Sequence, residues 1–290
     1  SINVLERHQT TMQQIAQQTI INQADGAESL ISFAPPPLPP EKFTGRQEEL
    51  KDIHLQLQNS DHLLLVNGIG GVGKTTLSMK YCAEFASHYD HILWFFCEHS
   101  IAEGILADGR TEKMLGINSA PQATYTQRLQ DVFTALSKWE GNNLMVIDNA
   151  NKSKDSRESY FNCPNKKILP TTRADMLSSS RFRSKKINVL SDELAAELFC
   201  KYYPPAEESP DLLKRLLLAI DNHTLVIELL AKTLHIRSEM NYTLAKLCDD
   251  LENHGVLSLP ASTKLTPNYL QYRHKQLRPE TIIQKMYNQA

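Results

Sequence analysis

Short uninterrupted apolar runs alternate with segments of helical spacing along the first two thirds of the chain. The runs cover residues 63–66, 91–96, 144–147 and 167–172, with a shorter one at 186–190. Continuous apolar runs of this kind are typical of strands that are buried on both faces of a sheet. Helical spacing occupies 50–57, 76–89, 100–116 and 124–139 between them. The pattern predicts an α/β domain in which helices flank a parallel sheet.

Beyond residue 190 the apolar positions keep only helical spacing. Helices are predicted from 191, at 212–220, at 224–234 and at 244–251, and a short strand is predicted at 256–259. This indicates a small all-α helical bundle after the sheet domain. Pro170 falls inside the fourth predicted strand and predicts a bulge or a strand end there, because proline has no N–H for the ladder.

These patterns divide the chain into four parts. Residues 1–40 are a polar segment that ends in a stiff proline-rich linker, and residues 41–190 form the sheet domain. Residues 191–260 form the helical domain. The polar residues 261–290 make a tail that can be read as the start of a further domain.

The segment from Asn67 to Thr76 connects the first predicted strand to a helix. Gly68, Gly73, Lys74 and Thr75 match the pattern of a P-loop, whose backbone N–H groups converge on phosphates. Glycines allow the chain to curl closely, and the following helix adds its positive N-terminal end. The sequence therefore predicts a nucleotide site.

Each polar residue of the P-loop has an expected role. Lys74 is expected to hold the β- and γ-phosphates, and Thr75 to give its hydroxyl to Mg²⁺. Asp148 ends the third predicted strand, where an acidic residue orders Mg²⁺, although a helix cap or turn is the alternative. Arg173 follows the fourth strand and is expected to sense the γ-phosphate, with a plain surface arginine as the alternative.

A helix start lies about twenty residues before the P-loop. Thr44 is predicted to cap this helix, and Gln47 to complete a capping box with it. In front of a P-loop, such a segment can fold back over the adenine and ribose of a nucleotide.

Composition narrows the function classes. The chain of 290 residues has 31 Lys and Arg against 33 Asp and Glu, which argues against nucleic acid or an anionic membrane as the main partner. Its five cysteines contain no C-x-x-C pair, as expected for a reducing compartment. No apolar run is long enough for a membrane span, and no secretion signal is found, so a cytoplasmic location is expected.

Together these motifs resemble the NB-ARC branch of the STAND ATPases. The resemblance spans residues 41–255 and rests on Phe43–Arg46, Gly68–Thr76, Leu144–Asp148, Lys167–Arg173 and Asn222–Ala231. It implies a switch that is a closed monomer with ADP and that self-associates with ATP to activate an attached effector. Effector and sensor domains of that family are missing from these residues, so the chain is expected to be a fragment or a minimal member.

The resemblance also implies a site. It places adenine near Phe43, Thr44, Gly45 and Arg46, the metal at Thr75 and Asp148, and catalytic roles on Lys74, Asp148 and Arg173. The phosphates are placed on Gly68, Gly70, Gly71, Val72, Gly73, Lys74, Thr75 and Thr76.

Two positions depart from the family pattern. Asn149 stands where a second acid is common, which predicts slow ATP hydrolysis and a gain of turnover on Asn149→Asp. His223 and Thr224 replace a nucleotide-contacting proline segment and can bond a phosphate or the base. A capping Thr224 and a surface His223 remain the alternatives.

Two other function classes fit a P-loop. One is a DNA-associated ATPase like the replication initiators, or a STAND transcription regulator; a basic patch would favour it, and the charge balance does not. The other is a small-molecule kinase, for which the sequence has no acceptor-activating base constellation and no arginine-rich lid.

Overall fold

The structure, a computed structural model, describes residues 36–59, 63–97, 100–120, 122–150, 166–173 and 183–254. The predicted strand at 256–259, the tail and most of the polar N-terminal segment lie outside these ranges. The described strands are β1 Leu64–Asn67, β2 His91–Phe96, β3 Asn143–Asp148, β4 Lys166–Thr172 and β5 Arg183–Lys186. The α-helices are α1 Gln47–Asn59, α2 Lys74–Glu84, α3 Ile101–Leu106, α4 Arg110–Met114, α5 Tyr125–Ser137, α6 Asp192–Tyr202, α7 Pro210–Ala219, α8 Thr224–Arg237 and α9 Leu244–His254.

The five strands form one parallel sheet in the order β2-β3-β4-β1-β5. β4 therefore lies between the strand that precedes the P-loop and the strand that ends in Asp148. Thr172 pairs with Asn67, and Pro170 pairs with Ile147. Because all strands run in the same direction, the polar residues that end β1, β3 and β4 lie together at the carboxyl ends of the strands.

Helices cover both faces of this sheet, as its uninterrupted apolar strands require. Val66, Trp94 and Val146 pack with α1 and α2 on one face. Phe95 and Ile147, the next residues along their strands, pack with α3 and α5 on the other face. The N-terminus of α5 carries a complete capping box formed by Thr124 and Gln127.

The helices after residue 190 share a core of their own. Phe199, Leu217, Ile227 and Leu247, one from each of α6 to α9, belong to it and are at most 3% exposed. The predicted fold class, a P-loop sheet flanked by helices and followed by a small helical bundle, is confirmed. The domain boundaries themselves stay a prediction. None of the helices in the described residues has both the length and the hydropathy to cross a membrane.

Several local predictions need correction. The helix expected at 100–116 is broken into α3 and α4: Ala107 leaves the helical conformation after α3 with ψ 129°, and Gly109 is left-handed before α4 with φ 62°. The helix expected to reach Tyr89 ends at Glu84 and is followed by a 3₁₀ turn at Ala86–His88.

The fifth strand was expected at 186–190 but covers Arg183–Lys186. Polar residues form it because they lie at the exposed edge of the sheet. The apolar residues that follow leave the sheet: Ile187 joins the core on the β1 side, and Leu190 joins the core of the helical bundle.

Pro170 causes neither a bulge nor a strand end. β4 continues to Thr172, and its register to β3 does not change. The ladder to β1 is instead interrupted between the Leu63–Ile168 bridge and the Val66–Thr171 pair. Pro170 lies in this gap and has no N–H to donate, which accounts for the interruption.

Candidate functional site

The lysine of the P-loop bonds the backbone of its own loop. Gly73 immediately precedes α2, and Lys74 is the first residue of that helix. The Lys74 Nζ donates to the carbonyls of Gly68 at 2.7 Å and of Ile69 at 2.8 Å. Lys74 is only 9% exposed. Burial, and next the positive charge of Arg173, lower the pKa of Lys74 to about 8, while Asp148 acts in the opposite direction.

Arg173 extends over the P-loop from the end of β4. A Cβ added to Gly70 would lie 3.3 Å from the guanidinium carbon of Arg173, so this glycine leaves room for the side chain. Two cations therefore converge on the same loop although they repel each other. A bound polyanion would relieve this repulsion, which makes the arrangement suitable for phosphates.

A hydroxyl and a carboxylate join the P-loop helix to β3. The Thr75 hydroxyl donates to Oδ1 of Asp148 at 2.8 Å, and Asp148 is fully buried. Thr171 donates to the same Oδ1 at 2.6 Å. Hydroxyl and carboxylate oxygens are ligands that suit Mg²⁺. Thr171 is not among the predicted site residues, although the Thr171-Thr172-Arg173 triplet at the end of the fourth predicted strand was the available sequence signal.

Asn149 faces away from the lysine side of the site. It has a left-handed backbone with φ 65°, and its Nδ2 donates to the carbonyl of Cys97 at 2.8 Å. Its backbone N–H donates to the Thr171 hydroxyl at 2.9 Å. The amide thus ties the end of β3 to the end of β2. A carboxylate in this rotamer would face a carbonyl oxygen, so the geometry argues against the gain expected for Asn149→Asp.

The segment before α1 contacts both the P-loop and the helical bundle. The guanidinium of Arg46 donates to Glu49 at 2.9 Å and to the carbonyls of Asn188 at 2.7 Å and Val72 at 3.4 Å. Thr44 does not cap α1, since its hydroxyl accepts from Lys201 of α6 at 3.0 Å and the helix starts only after Arg46.

Other predicted residues lie around the same loop. Gly45 packs against Leu194 of α6, and the half-buried Phe43 lies with its ring centroid 5.9 Å from the Nζ of Lys80. Val72 is fully buried in the core below the loop, and Thr76 lies in the first turn of α2.

The start of α8 lies directly against the P-loop. His223 Nε2 lies 2.8 Å from the Gly70 carbonyl, and the Thr224 hydroxyl donates to the Val72 carbonyl at 3.1 Å. The backbone N–H of Leu225 donates to the carbonyl of Gly71 at 3.1 Å.

Both alternatives for this pair are therefore wrong. His223 is in contact with the loop rather than a plain surface residue, and Thr224 is the first residue of α8 rather than its cap. Burial lowers the pKa of His223, which the bond to Gly70 partly opposes. Because a carbonyl can only accept, the neutral ring carries its proton on Nε2.

The predicted residues thus fall into two groups. Gly68–Thr76, Asp148, Arg173, His223 and Thr224 lie together around the P-loop. Phe43, Thr44 and Gly45, in the segment before α1, contact α6, and Arg46 reaches the P-loop carbonyl of Val72. No cluster of three or more His, Cys, Asp and Glu side chains suitable for a metal occurs among the described residues. A Mg²⁺ ion at Thr75 and Asp148 would therefore need further oxygen ligands, which nucleotide phosphates supply.

A P-loop on a parallel sheet, with a buried aspartate beside it, defines a P-loop NTPase. The model of the NB-ARC domain family matches residues 44–209, more than half of the chain, and the chain belongs to this family. The resemblance noted in the sequence is thereby confirmed, and the fold implies that the protein binds a nucleotide. No curated protein sequence matches the chain.

Solved structures resemble the chain at low identity. The STAND protein PH0952 from Pyrococcus horikoshii, which has a tetratricopeptide repeat sensor, is 18% identical with a TM-score of 0.47; the match covers 86% of this chain and 40% of that one. ORC1 of Aeropyrum pernix, solved in complex with DNA, is 13% identical with a TM-score of 0.49, over 86% and 85% of the two chains. At these scores the similarities say nothing about the function of this chain.

Proposed function

We propose that this chain is the nucleotide-operated switch of a STAND signalling protein. It binds ADP in a closed monomer, exchanges it for ATP, self-associates in the ATP state and returns by slow hydrolysis. The observation that carries this proposal is the convergence of Lys74 and Arg173 on the P-loop, beside the Thr75–Asp148 pair.

Each of these residues has one role in the proposal. Lys74 exchanges its bonds to the Gly68 and Ile69 carbonyls for phosphate oxygens. Arg173 contacts the γ-phosphate, which only ATP has, and so provides differential affinity for the two nucleotides. A ligand shifts a conformational equilibrium only through such a difference. Thr75 and Asp148 would hold Mg²⁺, which neutralises phosphate charge when bound.

The contacts between the P-loop and the helical bundle support an ADP-bound closed state. His223 and Thr224, at the start of α8, bond the loop carbonyls of Gly70 and Val72. Movement of the phosphate-binding loop is thereby transmitted to α8. Slow turnover is proposed from the NB-ARC family alone, because the Asn149 side chain is turned to the Cys97 carbonyl.

The first test is to identify the nucleotide that the purified protein carries and to measure its size. We expect denaturation to release ADP in about a 1:1 ratio from a monomer, and a Mg²⁺–ATP analogue to give a larger species on a sizing column. If the protein stays a monomer both with ADP and with the Mg²⁺–ATP analogue, the proposed switch is overturned. Rapid ATP turnover would overturn it too.

The second test separates recognition of ATP from recognition of ADP. Arg173→Gln should lose roughly tenfold in affinity for the ATP analogue, about the value of one charged hydrogen bond, and keep its ADP affinity. Arg183→Gln is the control, since Arg183 lies on the exposed edge strand. Equal losses for both nucleotides would remove γ-phosphate sensing from Arg173.

A further inference from the structure

Three successive carbonyls of the P-loop accept hydrogen bonds from three successive residues of another element. Gly70, Gly71 and Val72 are bonded by His223, Leu225 and Thr224 respectively. We call the three donors, His223, Thr224 and Leu225, the carbonyl clamp. They lie about 150 residues beyond the loop, at the start of α8.

The clamp fixes more than the carbonyls. A peptide group is planar, so the C=O of one residue and the N–H of the next point in opposite directions. Holding the carbonyls of Gly70, Gly71 and Val72 toward α8 directs the N–H groups of Gly71, Val72 and Gly73 away from it. Converging backbone N–H groups of this kind form the anion-binding concavity of a P-loop.

We propose that the carbonyl clamp positions the phosphate-binding N–H groups, so that docking of the helical bundle and diphosphate binding are one coupled equilibrium. With α8 docked, the donors are already oriented, and ADP binds without the cost of ordering them. By linkage, ADP must hold α8 against the loop with the same free energy. Separation of α8 from the loop weakens phosphate binding and permits nucleotide exchange. This inference rests on the proposed nucleotide binding.

The clamp acts on phosphates and not on the base, which separates it from a general effect on the fold. Thr224→Val removes the hydroxyl donor and keeps the shape of the side chain. We expect ADP to bind about three- to tenfold more weakly, the loss of one hydrogen bond, and adenosine to bind unchanged. His223→Leu combined with Thr224→Val should weaken ADP binding about ten- to thirtyfold.

Matched controls lie in the same helix. Thr233→Val removes a buried hydroxyl that donates to the Leu229 carbonyl of its own helix, and His235→Leu removes an exposed histidine. Both should keep the parent's ADP affinity. Thr224→Ser, which restores the hydroxyl, should restore ADP affinity even if Thr224→Val lowers stability.

The coupling has a second measurement in the unaltered chain. ADP should slow hydrogen exchange of the Leu225 amide, which donates to Gly71, while adenosine should not. If the parent binds ADP but Thr224→Val and the double variant bind it equally well, the clamp is overturned and the proposed function stands. If the parent binds no ADP, the proposed function fails and the clamp fails with it.

Discussion

The hydroxyl of Thr75 donates to the buried carboxylate of Asp148 at 2.8 Å and so joins the helix after the P-loop to the carboxyl end of β3. The two residues are 73 positions apart in the sequence. Their types and their positions after strands suffice to predict the pairing, because P-loop proteins need a hydroxyl and a carboxylate at a shared metal.

Asp148→Asn should abolish the Mg²⁺ dependence of nucleotide binding. The amide keeps the shape and still accepts the Thr75 and Thr171 hydroxyls, but it lacks the charge that favours a divalent cation. The factor by which Mg²⁺ strengthens ADP binding, measured against EDTA, should be at least about tenfold smaller in Asp148→Asn than in the parent. Asp131→Asn, on an exposed position of α5, is the control. An unchanged Mg²⁺ effect in Asp148→Asn would place the metal elsewhere.

The lowered pKa of Lys74 predicts that ADP binding takes up protons in mildly alkaline solution. Burial and Arg173 lower its pKa to about 8 in the free protein, and phosphate charge would raise it again. Below that pKa the lysine is already protonated, so it adds no pH dependence. Above it, ADP affinity should fall as the pH rises, because binding must first protonate Lys74.

Calorimetry at about pH 8.5 in two buffers of different ionisation enthalpy measures this uptake directly. Lys74→Met should bind ADP too weakly to measure while keeping its urea unfolding midpoint, and Lys80→Met, whose lysine pairs with Glu84 on the same helix, is the control. Proton release on binding, or an unfolded Lys74→Met, would contradict the role given to this lysine.

The P-loop, the buried strands and the helical bundle can be predicted from the sequence because their signals are local. Contacts that depend on residues distant in the sequence cannot be predicted in this way. Thr44 and Thr224 both suit helix caps, yet each hydroxyl bonds a partner more than 150 residues away. The clamp on the P-loop carbonyls has no local signature for the same reason.

The fifth strand was misplaced because its pairing with β1, rather than its own hydrophobicity, determines it. Arg183 and Lys186 are exposed at the sheet edge, where polar residues are favoured. The apolar residues after them belong to two cores that only the tertiary structure brings together.

Asn149→Asp is now expected to leave turnover unchanged or lower. The substitution replaces the amide that donates to the Cys97 carbonyl with a second acceptor, at a cost of about 1–3 kcal/mol in the free energy of unfolding. Asn142→Asp, which removes an amide donor whose hydrogen bond to the His88 carbonyl is exposed to solvent, should cost less. Phosphate release and urea unfolding measure the two effects, and faster release from Asn149→Asp would restore the acid-deficiency explanation of slow hydrolysis.

Gly68→Ala should damage the P-loop far more than its backbone angle alone explains. Gly68 has φ 151°, and a Cβ there would lie 2.5 Å from the carbonyl oxygen of Ile187, which cannot move without displacing the chain after β5. We expect a loss of at least about 2–3 kcal/mol in urea unfolding, together with weaker ADP binding. Gly109→Ala is the matched control: its φ is 62°, but nothing lies within 4 Å of the added Cβ, so about 1 kcal/mol and unchanged ADP binding are expected. Equal costs at the two positions would show that backbone conformation, and not the contact with Ile187, requires the glycine at 68.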